Sequence, residues 1–278
     1  DSDPYYRHLT KCGIDNILSY LNYGNIDFDD TQNEGVGGRR ALFFDTGWGG
    51  STLYSYTATA WVEPIAMFGD PNYEAPLGGA QGQNLRHIGQ DVADALVYCQ
   101  NSEGSWHYDC NQGYAAGQMD ASTNGWPVES LRLLRRRLGT ETYDWAMNAQ
   151  RAMLNLSSNA NGCRYGSFKA LLAGNCLTGY GWTENERADT GAAGKINQLL
   201  GAAQAPNYFS EAGLSSGGLY YMYALTKGMR AFNPEIKYFP NGTDWNKQFT
   251  DFLLNRQDAS GAFNWDPSYL SSSNGGYG

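Results

Sequence analysis

Apolar residues recur with a spacing near 3.6 residues through most of this chain, and that spacing is the feature that most restricts its fold. Four segments carry their apolar residues on one side, as amphipathic helices do: residues 5–22, 86–99, 141–156 and 244–256. The first has one apolar side, formed by Leu9, Ile14, Ile17, Leu18 and Leu21. No segment alternates polar and apolar residues with a period of two, so the sequence predicts no strand.

Four further segments alternate with these and begin with small or hydroxyl residues: residues 55–69, 120–138, 189–203 and 217–232. They are rich in Ala, Gly and aromatics, which is typical of tightly surrounded helices. Asp120 and Asp189 are predicted N-caps, because a carboxylate accepts hydrogen bonds from otherwise unpaired amides. We place Pro64 and Pro127 early in their helices, where the first turn tolerates proline. Two concentric helix layers follow, so we predict an all-α protein, an α/α toroid (barrel) forming a single domain over residues 1–278.

A ten-residue turn sequence occurs twice: QNSEGSWHYD at residues 100–109 and QDASGAFNWD at residues 257–266. Both copies have Gln, three residues, Gly, a small residue, an aromatic, one residue, an aromatic and Asp. The key positions are Gln100, Gly104 and Trp106 in the first copy, and Gln257, Gly261 and Phe263 in the second. The repetition, together with the alternating helices, indicates a supersecondary repeat.

These turns resemble the QW-type turns of the terpenoid cyclase and prenyltransferase superfamily, which includes squalene–hopene cyclases and bacterial prenyltransferase/squalene oxidase repeat proteins. In that family a Gln near the end of an outer helix packs beneath an aromatic of the following turn and ties neighbouring helices together. Residues 119–131, 179–202 and 217–229 also look like parts of such proteins, with a Gly-Trp turn before an inner helix in the second segment. The resemblance covers nearly the whole chain and implies an α/α toroid in which both turns are structural.

The family pattern calls for another inner helix after the second turn, yet the sequence stops at Gly278. The resemblance therefore implies either a chain truncated at its C-terminus or an incompletely closed ring. An exposed helix edge in such a ring would receive a neighbouring copy.

Four of the five cysteines form two pairs that each bracket a Gly-containing loop: Cys99 with Cys110, and Cys163 with Cys176. We predict two local disulfides, each stabilising by about 3 kcal/mol in the chain-entropy model; free buried thiols are the alternative. Disulfides persist in oxidising surroundings, so we expect an extracellular or cell-envelope location. The role of the fifth cysteine, Cys12, stays open.

The sequence DFDDT at residues 27–31 is the sharpest candidate for chemistry. Class II terpene cyclases carry a DxDDT motif that protonates an alkene or epoxide, so the resemblance implies Asp29 as the general acid, with Asp27 and Asp30 as its neighbours. The sequence that follows is polar and Gly-rich, which favours a solvated loop instead. A calcium-binding loop is a third alternative, because the three carboxylates are hard oxygen ligands.

The prenyltransferase branch would need an Asp, Cys and His set for catalytic zinc. His107 lies beside Asp109 and Cys110, but a disulfide at Cys110 would exclude zinc there, so no metal site is predicted. The chain contains no GxSxG elbow and no phosphate-binding glycine motif at a strand–helix junction. A net charge of −9 with one short basic run argues against nucleic acid. No apolar stretch approaches the roughly 20 residues of a membrane span.

Aromatic residues make up 14% of the chain. Five of them are predicted to start inner helices and to ring one end of the toroid: Trp61, Trp126, Trp182, Tyr220 and Tyr221. Such a ring would hold isoprenoid cations by cation–π attraction or stack on sugar faces. Packing in the core is the alternative that burial favours.

The sequence therefore predicts an exported, non-catalytic repeat protein that acts as an interaction or assembly module, with its own copies or other proteins as partners. The alternative is a class II terpene (squalene-type) cyclase that uses Asp29. The position of Asp29 distinguishes the two hypotheses, because only the cyclase requires Asp29 to face a closed apolar cavity.

Overall fold

Nine α-helices make up 65% of the residues described by the computed structural model, and the protein is all-α as predicted. The described residues are 4–25, 40–44, 54–108, 121–141, 143–159, 162–163, 173–183, 190–204 and 218–261. The helices are α1 (Pro4–Ser19), α2 (Tyr54–Phe68), α3 (Leu85–Tyr98), α4 (Ala121–Leu138), α5 (Asp144–Ser157), α6 (Ala173–Trp182), α7 (Thr190–Ala203), α8 (Gly218–Arg230) and α9 (Trp245–Leu254). The chain divides into two units, Asp1–Leu156 and Ser157–Gly278.

Two short antiparallel hairpins accompany the helices, so the prediction of no strands is wrong. β1 (Leu21–Asn25) pairs with β2 (Arg40–Phe44) in the first unit, and β3 (Ser158–Asn159) pairs with β4 (Gly162–Cys163) in the second. The five-residue strand RALFF has four consecutive apolar residues, LNYGN alternates over three residues only, and the two-residue strands are too short to alternate, so none shows a period-two pattern.

All eight predicted helices are present, with ends within three residues of their predicted positions. In α1 the residues Ile14 and Leu18 are buried, as is Leu21 two residues after its end, but Leu9 is 47% exposed. The predicted apolar side is therefore buried only from Ile14 onward. Residues 7–13 of the same helix are exposed.

Both prolines lie deeper in their helices than predicted. Pro64 is inside α2 and Pro127 is inside α4, and these two helices pack against each other. An interior proline removes one amide donor from the helix. Thirteen of the 18 residues of α4 are buried, and tertiary packing of this kind is the main source of helix stability in proteins.

The helices α3 and α9 begin in the same way. Asn84 caps α3 by accepting a hydrogen bond from the His87 amide (2.9 Å), and Asp244 caps α9 by accepting one from the Lys247 amide (2.9 Å). Each cap also closes a loop through an antiparallel bridge, to Glu74 and Tyr238 respectively. The N-caps predicted at Asp120 and Asp189 lie outside the described residues.

In the second unit, α6 and α8 approach each other backbone to backbone. A Cβ added at Gly174 would lie 2.4 Å from the carbonyl carbon of Ala224, and one added at Gly228 would lie 2.4 Å from the Gly174 carbonyl oxygen. Every residue of α6 is buried. The glycines of α6 are therefore what allows α8 to pack this closely.

Candidate functional site

The first copy of the repeated sequence forms a closed turn after α3, which we call turn 1 (residues 100–106). Gln100 Nε2 donates to the Gly104 carbonyl oxygen (3.0 Å). Asn101 Oδ1 accepts hydrogen bonds from the amides of Glu103 and Ser105, both at 3.0 Å. Gly104 has a φ of +85°, a left-handed conformation that favours glycine.

Helix α5 lies directly on turn 1. Gln100 Nε2 also donates to the Ala146 carbonyl oxygen of α5, at 3.1 Å. A Cβ added at Gly104 would lie 2.2 Å from the carbonyl carbon and oxygen of Ala149. Glycine at position 104 is thus required both by its φ angle and by the closeness of the α5 backbone.

The aromatic residue of turn 1 connects two other helices. Trp106 is 1% exposed, and its Nε1 donates to the Leu96 carbonyl oxygen near the end of α3, at 2.7 Å. Thr123 Oγ1, in the first turn of α4, donates to the Trp106 carbonyl oxygen at 2.8 Å. Turn 1 is therefore bonded to α3, α4 and α5.

The second copy forms the same turn after α9, which we call turn 2 (residues 257–261). Gln257 Nε2 donates to the Gly261 carbonyl oxygen (2.9 Å), and Gly261 also has a φ of +85°. Asp258 takes the place of Asn101, because its Oδ1 accepts from the Ser260 amide at 2.8 Å. Phe263, the counterpart of Trp106, lies outside the described residues.

The two turns differ in how far they are covered. Gln100 is 5% exposed and Gly104 is buried, whereas Gln257 and Gly261 are exposed. The difference extends into the helices: Val97, three residues before Gln100, is 1% exposed, and Leu254, three residues before Gln257, is 59% exposed. Among the described residues, an added Cβ at Gly261 would meet only Gln257 Nε2, at 3.8 Å. Turn 2 thus has the form of turn 1, with none of the described helices on it.

The five predicted ring aromatics have different positions and environments. Trp61 lies in the middle of α2, with its ring 5.1 Å from that of Tyr20, and Trp126 lies within the first half of α4; both are partly exposed. Trp182 ends α6 instead of starting a helix, because the segment predicted as a Gly-Trp turn is itself helical.

Tyr220 and Tyr221 do lie in the first turn of α8, as predicted. The Tyr220 hydroxyl accepts a hydrogen bond from Asn175 Nδ2 (3.2 Å), and the buried Tyr221 hydroxyl donates to the Ala203 carbonyl oxygen. Trp182 and Tyr221 are each 1% exposed, which is the burial expected of core residues.

The acidic residues of the DFDDT sequence, Asp27, Asp29 and Asp30, lie outside the described residues. Within the part of the chain that is described, no group of three or more His, Cys, Asp or Glu side chains is arranged to hold a metal ion. No described helix has the length and apolar character needed to cross a membrane.

The predicted disulfide between Cys163 and Cys176 is present, with the two Cα atoms 5.9 Å apart. It joins β4 to α6. Cys99 is disulfide-bonded as well, and its predicted partner Cys110 lies outside the described residues. Cys12 is a free, exposed thiol on α1, 3.6 Å from His8 Nε2.

A buried polar cluster in the second unit was not predicted. Ser158 Oγ and the Tyr180 hydroxyl are 3.0 Å apart, and Lys195 Nζ donates to the Ser158 carbonyl oxygen at 2.6 Å. Burial raises the pKa of the Tyr180 phenol. Ser158 and Tyr180 are 2% and 1% exposed, so we interpret the cluster as the anchor of the β3–β4 hairpin on α6 and α7. These residues are far apart in the sequence and form no motif, so no sequence signal marks them.

The described residues define an all-α protein with an internal helix–turn repeat. No protein-family model, curated protein or solved structure matches the chain. The resemblance to the terpenoid cyclase superfamily therefore stays a prediction.

Proposed function

We propose that this chain is an exported, non-catalytic α/α-toroid repeat protein that acts as an extracellular or cell-envelope interaction and assembly module. One observation carries the proposal: the same turn is built twice, once beneath a helix and once exposed. Turn 1 binds a helix through hydrogen bonds to backbone groups. An exposed copy of the same turn can make such hydrogen bonds to a partner protein.

The chemistry of turn 1 supports a structural role for the repeated residues. Gln100, Asn101 and Trp106 donate to or accept from backbone groups, and none of them titrates near neutral pH. Such contacts tie helices together, which is a structural role. The disulfides at Cys99 and Cys163 support export, because disulfides are rare in reducing compartments.

The alternative function, a class II terpene cyclase, depends on Asp29. It requires this carboxyl group to donate its proton to an alkene or epoxide from within an apolar, water-excluding site. The calcium alternative depends on the same three carboxylates, Asp27, Asp29 and Asp30, in their ionised form.

One set of measurements separates these functions. Wild-type protein and the Asp29→Asn variant are incubated with squalene-type isoprenoid polyenes, and substrate consumption is followed by mass spectrometry. We expect no consumption by either protein. Turnover by the wild type that is lost in Asp29→Asn would refute the non-catalytic function. A calcium-dependent rise in melting temperature that is lost in the same variant would instead establish the calcium loop.

A further inference from the structure

We propose that Asn241 is an N-glycosylation site, at which an oligosaccharide is transferred from a lipid diphosphate to the side-chain amide in a secretory compartment. Asn241, Gly242 and Thr243 form the acceptor sequence Asn-X-Thr, whose middle residue is not proline. This inference rests on the export stated in the proposed function, and it adds a modified residue and the class of its substrate.

The acceptor sequence lies in a tight loop directly before α9. The Gly242 amide donates to the Phe239 carbonyl oxygen, and the Phe239 amide donates to the Thr243 carbonyl oxygen, both at 2.9 Å. Pro240 is the second residue of the first of these turns, a position that its fixed φ favours. Gly242 has a φ of +84°, which favours glycine. The local sequence is therefore suited to this turn.

The hydrogen bonding of Asn241 leaves its reacting atom accessible. Asn241 Oδ1 accepts a hydrogen bond from the Thr243 amide at 2.9 Å, so the side chain is held by its oxygen. The residue is exposed, and its Nδ2, the atom that would carry the sugar, has no partner among the described residues. Thr243 is partly exposed, and within the same described part of the chain its hydroxyl has no partner either.

The loop has room for a glycan and is anchored on both sides. Phe239 and Trp245 flank it and are each 4% exposed, whereas Gly242 between them is exposed. A Cβ added at Gly242 would have nothing within 4 Å among the described residues. A glycan is bulky and polar, so the fold can carry it only at a surface position of this kind.

A second acceptor sequence, Asn155-Leu156-Ser157, has different surroundings. Its residues are the last three of α5, and Ser157 is 7% exposed. In a helix the amide of residue 157 is directed to the carbonyl of residue 153, so it does not hold the Asn155 side chain as the Thr243 amide holds Asn241. In the folded chain, the structure therefore favours Asn241 over Asn155.

The transfer step needs one co-reactant, a lipid-diphosphate-linked oligosaccharide supplied with an oligosaccharyltransferase. Asn241 Nδ2 forms a bond to the anomeric carbon of the first sugar. The bond from that carbon to the diphosphate oxygen breaks, and its electron pair leaves with the lipid diphosphate. One amide proton passes to a base of the transferase.

The first test is translation of the full chain, placed behind a cleavable signal peptide, in the presence of microsomes. Protease protection identifies the imported chains. Peptide N-glycosidase converts a glycosylated Asn to Asp, so mass spectrometry then identifies the modified position. We expect the imported wild-type chain to be modified at Asn241.

Four variants separate the reacting atoms from the shape of the loop. Asn241→Asp keeps the acceptor oxygen of the turn but lacks the amide nitrogen, and Thr243→Val keeps the side-chain shape but lacks the hydroxyl. Both should lose the modification at position 241. Thr243→Ser keeps the hydroxyl and should retain it. Asn155→Gln, the matched control at the other acceptor sequence, should also retain it.

The second test uses the folded protein. Full-length chain produced in a bacterial periplasm, where disulfides form, is incubated with a purified eukaryotic oligosaccharyltransferase and its lipid-linked oligosaccharide. We expect transfer to Asn241 and none to Asn155, because only Asn241 lies in an open turn. Far-ultraviolet circular dichroism before and after transfer verifies that the chain stays folded.

Imported chains that are unmodified at Asn241 overturn the inference, as does modification of Asn155 alone. Transfer to the folded chain that is equal at both positions, or absent from Asn241, overturns its structural basis. Failure of the proposed function gives a different result, because it appears as isoprenoid turnover that depends on Asp29, whether or not Asn241 carries a glycan.

Discussion

Replacing Gly104 by alanine tests whether α5 lies on turn 1. The substitution has two costs that add. An L-residue in the left-handed conformation costs about 1–2 kcal/mol, and Gly104 has a φ of +85°. The new Cβ would also lie 2.2 Å from the carbonyl carbon and oxygen of Ala149, so α5 must move away; overpacking of this kind costs about 1–3 kcal/mol. We therefore expect Gly104→Ala to lower the free energy of unfolding by about 2–5 kcal/mol.

Gly82→Ala is the matched control in the same unit. Gly82 has a φ of +78°, but an added Cβ would have nothing within 4 Å among the described residues. It therefore carries the conformational cost alone, about 1–2 kcal/mol. The difference between the two variants, about 1–3 kcal/mol, measures the packing of α5 on turn 1.

The assay is hydrogen exchange of the amides of α3 and α5 with increasing urea, read by mass spectrometry. This measurement gives the stability of the first unit separately from that of the second. Protein concentrations are kept low so that self-association does not contribute. If Gly104→Ala destabilises the first unit no more than Gly82→Ala does, α5 does not lie on turn 1.

Three further outcomes are expected. Gln100→Ala removes two buried hydrogen bonds and should lower the free energy of unfolding by about 1–3 kcal/mol. Gln257→Ala removes one exposed hydrogen bond and should lower it by less than about 1 kcal/mol. Urea denaturation measures both. Gly174→Ala should destabilise the second unit by about 1–3 kcal/mol through contact with α8, while Gly194→Ala should stabilise it by up to about 1 kcal/mol. Burial raises the pKa of Tyr180, so the folded protein holds this proton more tightly than the unfolded chain does. The stability linked to this proton is present below pH about 10 and is lost as the pH rises above it, so the fall in stability above pH about 10 should be smaller in Tyr180→Phe than in the wild type, as measured by urea denaturation.

The helices were predictable because their apolar residues repeat with the period of the helix. In α3, for example, Ile88, Val92 and Leu96 recur every four residues and all are buried. Burial of such a stripe stabilises the helix wherever the segment lies in the fold. A local pattern is therefore sufficient to predict the element.

Helix α6 was not predictable in the same way. Its sequence AGNCLTGYGW contains three glycines, which disfavour helix in isolation, and it shows no polar face because all of its residues are buried. It forms because α8 packs against it at Gly174 and Gly181 is closely approached by Ala231. These contacts join residues about 50 positions apart, and no local pattern records them.

The candidate site shows the same division between local and distant information. The repeated letters predicted a shared turn, since Gln, Gly and an Asn or Asp side chain suffice to close its internal hydrogen bonds. The burial of turn 1 depends on helix α5, which begins about 40 residues later in the chain, so the sequence of the turn itself does not predict it. Gln100 and Gln257 are therefore equivalent in sequence but not in exposure. The internal hydrogen bond from Gln to the Gly carbonyl oxygen forms in both copies, whether the turn is buried or exposed. Because the same internal hydrogen bond is buried in one copy and exposed in the other, replacing Gln by Ala should lower the free energy of unfolding more at Gln100 than at Gln257.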